Sequence, residues 1–165
     1  MAESEADVAD NDLGAGAAAD RPQFAIQQLY IKDLSFESPN SPDIFTVEQW
    51  EPEIDLRIDS NANLLREGIY EVVLTVTVTA EAAGKSAFLI EVQQAGIFVV
   101  SNFSDEEMGP ILGSTCPGVL YPYAREVISS LSLKGGFPPF VLVAANFDAI
   151  YRAKMRESQE NESGE

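Results

Sequence analysis

Few residues of this 165-residue chain have the type and spacing to do chemistry. Asp105-Glu106-Glu107 groups three carboxylates, the kind of cluster that can share acid and base work. The run directly follows Ser104, however, and Ser104 with Glu107 has the spacing of a capping box, so these are the acids of a first helical turn beside the positive end of the helix dipole. Asp59, Asn61 and Asn63 have the alternation of a calcium loop, but its sharp-turn glycine position is Leu64 and its bidentate glutamate position is Tyr70. Cys116 is the single cysteine, so the chain has neither an intramolecular disulfide nor a cysteine metal cluster. No histidine occurs. That excludes, within one chain, a Ser-His-Asp triad, a Cys-His pair, a histidine-ligated metal and a histidine pH switch. With no histidine to activate it, Cys116 reads as a packed thiol. Gly135-Gly136 is followed by Phe-Pro-Pro, not by the lysine of a phosphate loop. No catalytic, metal-binding or cofactor-binding residue is assigned, no cofactor is expected, and the chain is not read as an enzyme.

The elements that would position any site begin with Glu67 to Ser101. Tyr70, Val72, Leu74, Val76, Val78 and Ala80 alternate with Glu71, Thr75, Thr77 and Thr79, the period of a strand with one buried face. Residues 81–85 are small and polar and break the pattern, and Phe88, Ile90 and Val92 restart it against Leu89, Glu91 and Gln93, which predicts a hairpin. Residues 21–37 alternate as well, with Phe24, Ile26, Tyr30, Leu34 and Phe36 on even positions. Leu29 and Ile31 interrupt the odd face, as in a strand covered on both sides over part of its length. Residues 38–49 form a Pro-, Asn- and Ser-rich crossover. Residues 50–60 give a further strand, with a loop expected over 59–63. Past the hairpin, a short helix from Ser104 is expected to stop near Gly109-Pro110. A main helix follows with Leu120, Ala124, Val127, Ile128 and Leu131 as its stripe and Gly135-Gly136 as its stop. After the stiff Phe137–Phe140 link, residues 141–145 run extended, and Asn146 caps a last helix. Four strands followed by helices define an α+β class with an antiparallel sheet.

The net charge of −17 is uneven. Residues 1–20 carry six acids and 157–165 carry four, with no base in either, which leaves 17 acids against 10 bases between them. Residues 1–22 and 157–165 are therefore expected to be disordered acidic tails around a single domain at 23–156. So negative a surface repels phosphate backbones and disfavours nucleic acid. No segment approaches the length of a membrane span, and no signal sequence is legible, so an intracellular, soluble protein without membrane insertion is expected.

Two groups leave a choice open. Phe45, Trp50, Phe137, Phe140 and Tyr151 lie in or beside connecting segments, where large apolar groups are either the edge of the core or the lining of a groove. Asp33, Glu37 and Glu91 share the odd strand face with Leu89, and are either plainly solvated acids or, with that leucine, a small mixed contact patch. A small-ligand-binding α+β domain using the aromatic pocket is one reading these groups permit.

Several motifs resemble SecB, the bacterial protein-export chaperone family. They are the run from Ile31 to Pro42, Tyr70-Glu71-Val72-Val73-Leu74 with its continuation to Ala80, Glu91-Val92-Gln93-Gln94, Cys116-Pro117, Pro122-Tyr123-Ala124-Arg125-Glu126, and Asn146-Phe147-Asp148-Ala149. The similarity covers about residues 23–152 in order and spacing, and departs at Ala144-Ala145, where family members tend to carry a proline. The resemblance implies a four-stranded antiparallel sheet with helices on one side, assembled as a dimer of dimers. It implies an ATP-independent chaperone that holds unfolded precursor proteins in the cytoplasm and passes them to the motor SecA. It also implies a client groove at Phe45, Trp50, Ile54, Leu56, Ile58, Phe137, Phe140 and Tyr151, and a site for SecA's basic tail at Asp33, Glu37, Leu89 and Glu91.

Overall fold

The computed structural model describes residues 20–164, so residues 1–19 of the expected amino-terminal tail lie outside the described residues. Four strands, β1 (Gln23–Glu37), β2 (Glu53–Arg66), β3 (Ile69–Ala82) and β4 (Lys85–Ser101), form one antiparallel sheet in the order β1-β4-β3-β2. Helices α1 (Asp105–Pro110), α2 (Cys116–Lys134) and α3 (Phe147–Ser163) follow. The β3–β4 turn is Ala83-Gly84, with φ of 51° and 73°. Positive φ at both positions is what a two-residue hairpin turn needs to match strand twist, and glycine takes it without strain.

The even positions of β3 and β4 are the core. Val72, Leu74, Val76, Val78, Ile90, Val92 and Phe98 have no solvent exposure. Against them α2 lays Cys116, Leu120, Ala124 and Ile128, all fully buried, with Val127 and Leu131 half-buried beside them. The expected stripe of α2 is therefore the face that seals the sheet. Lys134 ends the helix, and the Gly135 N–H donates to the Leu131 carbonyl and the Gly136 N–H to the Leu133 carbonyl.

Four local expectations are revised. β2 runs on through the expected 59–63 loop to Arg66, because Asn61 and Asn63 pair in register with Val73 and Glu71. The helix beginning at Ser104 does not stop at Pro110. Its capping box is present, with Ser104 N donating to Glu107 Oε2 at 2.9 Å and Glu107 N to Ser104 Oγ at 3.3 Å. It then passes through one wide π turn, Ile111–Thr115, directly into α2. At the other end α3 continues through 157–163, where an acidic tail was expected. These Glu, Gln and Ser residues keep their side chains in solvent, glutamate and glutamine are good helix formers, and Ser158 and Ser163 donate back to carbonyls four residues earlier.

The last revision concerns β1. Its pairing with β4 shifts register between Ile26 and Gln28 and again between Ile31 and Asp33. Each bulge inserts one residue and reverses which face later side chains occupy. Between the two, Leu29 and Ile31 lie opposite Gly96 and Gln94 on the helix side, while Tyr30 lies opposite Ala95 on the outer side. The strand is not covered twice; its parity is reversed for a few residues. Tyr30 accordingly leaves the even-face core.

Leu120 bridges helix and sheet with no exposure. Leu120→Ala should lower unfolding stability by about 2–5 kcal/mol, read by urea denaturation at fixed protein concentration.

Candidate functional site

On the helix side, the Phe137 ring is the hub of an aromatic cluster. Its centroid lies 5.2 Å from Phe45, 5.4 Å from Trp50 and 5.1 Å from Phe88. The position is set by Ser132, buried in the last turns of α2, whose carbonyl accepts from Phe137 N at 3.0 Å and whose Oγ accepts from Phe140 N at 2.8 Å. Phe137 is only 4% exposed whereas Phe45 is 50% exposed, so the cluster is core at its floor and surface at its rim. Phe140 is half-buried and packs on the core.

Ile54, Leu56 and Ile58 pair with Ala80, Val78 and Val76, which places all three on the helix side of the edge strand. Ile54 and Leu56 are exposed; Ile58 lines a cleft of about 360 Å³ with Gly113, Ile150, Ala153 and Lys154. Tyr151 lies farther along α3, in a second cleft of about 240 Å³ with Ala62, Leu112, Gly113 and Met155. A Cβ on Gly113 would fall 2.4 Å from the Tyr151 ring, and one on Gly109 2.4 Å from its hydroxyl, so α3 rests on these glycines. Of the eight expected groove residues, Phe45, Trp50 and Phe137 make the aromatic cluster, Ile58 and Tyr151 line the clefts between β2 and α3, Ile54 and Leu56 stand exposed along β2, and Phe140 packs on the core. Sequence reading missed Gly109, Gly113 and Lys154 there. Lys154 Nζ reaches Asp59 Oδ1 and the Ser60 carbonyl, both at 3.2 Å, across a separation of more than ninety residues that no local pattern signals.

On the outer face, Glu37 lies opposite Leu89, Ser35 opposite Glu91 and Asp33 opposite Gln93. Asp33, Glu37, Leu89 and Glu91 therefore form one contiguous group on two neighbouring strands, turned away from α2. Asp33 and Glu37 are exposed and Leu89 and Glu91 half-buried. Thr77 Oγ1 is 3.4 Å from Glu91 Oε2.

The same face carries a polar clasp that sequence reading missed. Its only signal was the interruption at Leu29 and Ile31. Glu71 of β3 accepts a hydrogen bond from the Tyr30 hydroxyl at Oε2 and an ion pair from Lys32 Nζ at 2.7 Å on Oε1. Tyr30 and Lys32 both come from the doubly bulged stretch of β1. The Lys32 ammonium, with the Tyr30 hydroxyl, holds the Glu71 carboxyl below its ordinary value of 4.5. Burial, reinforced by that carboxylate, pushes the Tyr30 phenol up to about 12. Cys116 is fully buried, and burial pushes its thiol to about 12, which leaves it protonated and unreactive at neutral pH.

A sheet backed by helices on one face, with apolar clefts on that side and carboxylates on the other, defines a binding protein of the α+β class. A family model described as "Preprotein translocase subunit SecB" matches residues 17–158. The chain is 52% identical over 138 residues to "Protein-export protein SecB" of Methylococcus capsulatus, covering 84% of this chain and 88% of that protein. It is 45% identical over 159 residues to the protein of the same name from Marinobacter nauticus, covering 96% of each. Among solved structures it resembles a SecB-like chaperone of Mycobacterium tuberculosis in complex with a peptide from the HigA1 antitoxin, with a TM-score of 0.62, 17% identity, and coverage of 80% of this chain and 95% of that one. The chain belongs to the SecB family of protein-export chaperones. Among the described residues, no helix is long and apolar enough to cross a membrane.

Two outcomes test this geometry. Phe137→Ala should cost about 3–5 kcal/mol of stability because it opens the floor of the cluster, while Phe45→Ala at the rim should cost far less, both read by denaturant unfolding. Because the Glu71 carboxyl is depressed on folding, its stabilisation is present above the ordinary carboxylate value and is lost as pH falls through the folded one. The stability gap between wild type and Glu71→Gln should therefore be full at pH 7 and close in acid, measured by unfolding across a pH series.

Proposed function

We propose that this chain holds unfolded precursor proteins through its helix-side apolar surfaces, without ATP, and hands them to SecA through the acidic patch on the opposite face of the sheet, in the cytoplasm. The observation that carries this reading is the separation itself. The exposed apolar side chains Phe45, Ile54, Leu56, Ile150 and Met155 lie on or beside the helix side, whereas Asp33, Glu37, Leu89 and Glu91 lie on the other. Apolar burial is non-directional, so a discontinuous apolar surface accepts many extended sequences. Carboxylates around one leucine suit a basic segment with an apolar contact, where charge sets encounter rate and specificity.

A dimer of dimers belongs to the same proposal. Phe24, Ile26, Ile31 and Leu34 are 39–46% exposed along β1, an edge strand whose outer side has no strand beside it among the described residues. Ile31 lines a cleft with Leu29 of the same strand and Tyr123 and Val127 of α2. A second copy of the chain is the occupant that buries such a stripe and the strand edge together.

Glu91→Lys should weaken binding of a basic SecA-tail peptide, with a smaller dependence on salt, while the delay of refolding of an unfolded client is unchanged. Phe45→Ala combined with Ile150→Ala should do the reverse. Loss of client capture in Glu91→Lys with peptide binding intact would exchange the two assignments. Ile31→Glu should lower the native mass; an unchanged assembly removes β1 from the interface.

A further inference from the structure

The polar clasp on the outer face has a geometry that simple reinforcement of the sheet does not require. Lys32 is the residue left unpaired by the second bulge of β1, and it immediately precedes Asp33 in the acidic patch. Glu91 lies two residues along β4 from Gln93, the register partner of Asp33, and on the same face. A flexible lysine at this point has Asp33 as its chain neighbour and Glu91 on the adjoining strand. Its ammonium goes instead to Glu71, which pairs with Ile97 toward the far end of the sheet.

Glu71 and Thr77 are six residues apart on β3, and Thr77 is the register partner of Glu91. At about 3.3 Å per residue Glu71 lies about 20 Å along the sheet from the level of Glu91 and about 13 Å from the level of Asp33, whose partner Gln93 pairs with Thr75, both beyond the screening length of about 8 Å at physiological salt. Its own charge is therefore weakly felt at Asp33 and Glu91. Its effect on them passes through the lysine it holds. Glu71 is built to hold it: its side chain is 13% exposed against 44% for Lys32, and Tyr30 occupies the second carboxylate oxygen and leaves the first for the ammonium. Ala95, the register partner of Tyr30, is fully buried and has only a methyl group.

We infer that Glu71 is a positioning residue for the acidic patch: by pairing with Lys32 it withholds that cation from Asp33 and Glu91 and leaves their carboxylates open to a cationic segment of a partner. This rests on the reading of the outer face as the site for a basic tail. It differs from a structural role for the clasp, because the effect of losing Glu71 is carried by Lys32 and is removed with it.

The test uses the full chain, a short synthetic peptide rich in lysine and arginine as the probe, and variants shown by circular dichroism to be folded. Glu71→Gln should weaken peptide binding about two- to fivefold at physiological salt, the size of an exposed charge interaction. Adding Lys32→Met to Glu71→Gln should restore it. Glu81→Gln, which removes the same charge from the outer face nearer to Glu91, should change binding less, and so separates lysine release from loss of net charge. Tyr30→Phe, which removes one hydrogen bond of the clasp and leaves the ion pair, should bind as wild type. A crystal structure of Glu71→Gln should show Lys32 Nζ within about 4 Å of Asp33 or Glu91. The inference is overturned if Glu71→Gln binds normally, if its defect survives Lys32→Met, if Tyr30→Phe is equally weak, or if Lys32 remains over residue 71. Wild-type protein that ignores the peptide at low salt overturns the reading of the outer face itself, and is distinguished by the position of Lys32 in the variant structure.

Discussion

The structure depends on one constraint, the two-residue period of β3 and β4 under a helix that covers only one of their faces. Val72, Leu74, Val76 and Val78 are sealed against Leu120, Ala124 and Ile128. A slip of one residue in either strand would turn these side chains into solvent and bring Thr75, Thr77 and Glu91 under α2. The register is therefore held by burial of several large side chains at once, each worth about 1.5–3 kcal/mol when removed from water. Everything on the outer face inherits its position from that register. Leu89 and Glu91 are displayed outward because Phe88, Ile90 and Val92 are held inward.

The same alternation explains what was legible in the sequence. β3, β4 and the stripe of α2 could be read because their period is unbroken and their packing partners share it. The caps at Ser104 and Asn146 could be read because capping is local chemistry: Asn146 Oδ1 accepts from Ala149 N at 3.0 Å, three residues on. The faces of Asp33, Glu37, Leu89 and Glu91 followed from parity, because both β1 bulges precede Asp33 and together restore the original phase. Tyr30 was misplaced because a bulge changes backbone pairing without a residue type that announces it. The interruption at Leu29 and Ile31 was the trace of that event, and it fits a parity reversal as well as it fits double coverage.

What could not be read was closure between distant elements. The passage of α1 into α2 looked like a stop because Gly109 and Pro110 are helix breakers by propensity. In the fold Gly109 and Gly113 are small because Tyr151 lies against them, a contact made by a helix that starts more than thirty residues later. Propensity was overridden by packing, and the glycines serve close approach instead of termination. Ser132 is similar: a serine within an apolar helix end carried no signal, yet its carbonyl and hydroxyl set the path of the Phe137–Phe140 link.

That link joins the core to the surface it presents. Phe88 is fully buried on β4, Phe137 packs on it with the rings tilted, and Phe45 and Trp50 pack on Phe137. The rim of the cluster thus rests on the same strand that carries Leu89 and Glu91 outward, just past Phe88. Neighbouring side chains on a strand point to opposite faces, so an apolar ligand over Phe45 and a cation over Glu91 would be separated by the thickness of the sheet, and neither would exclude the other sterically. Substitutions among the outward side chains therefore leave the register in place, because it is held by the inward row of Phe88, Ile90 and Val92. A sheet covered on one side only thus displays two surfaces of different chemistry whose positions are fixed by the same buried row.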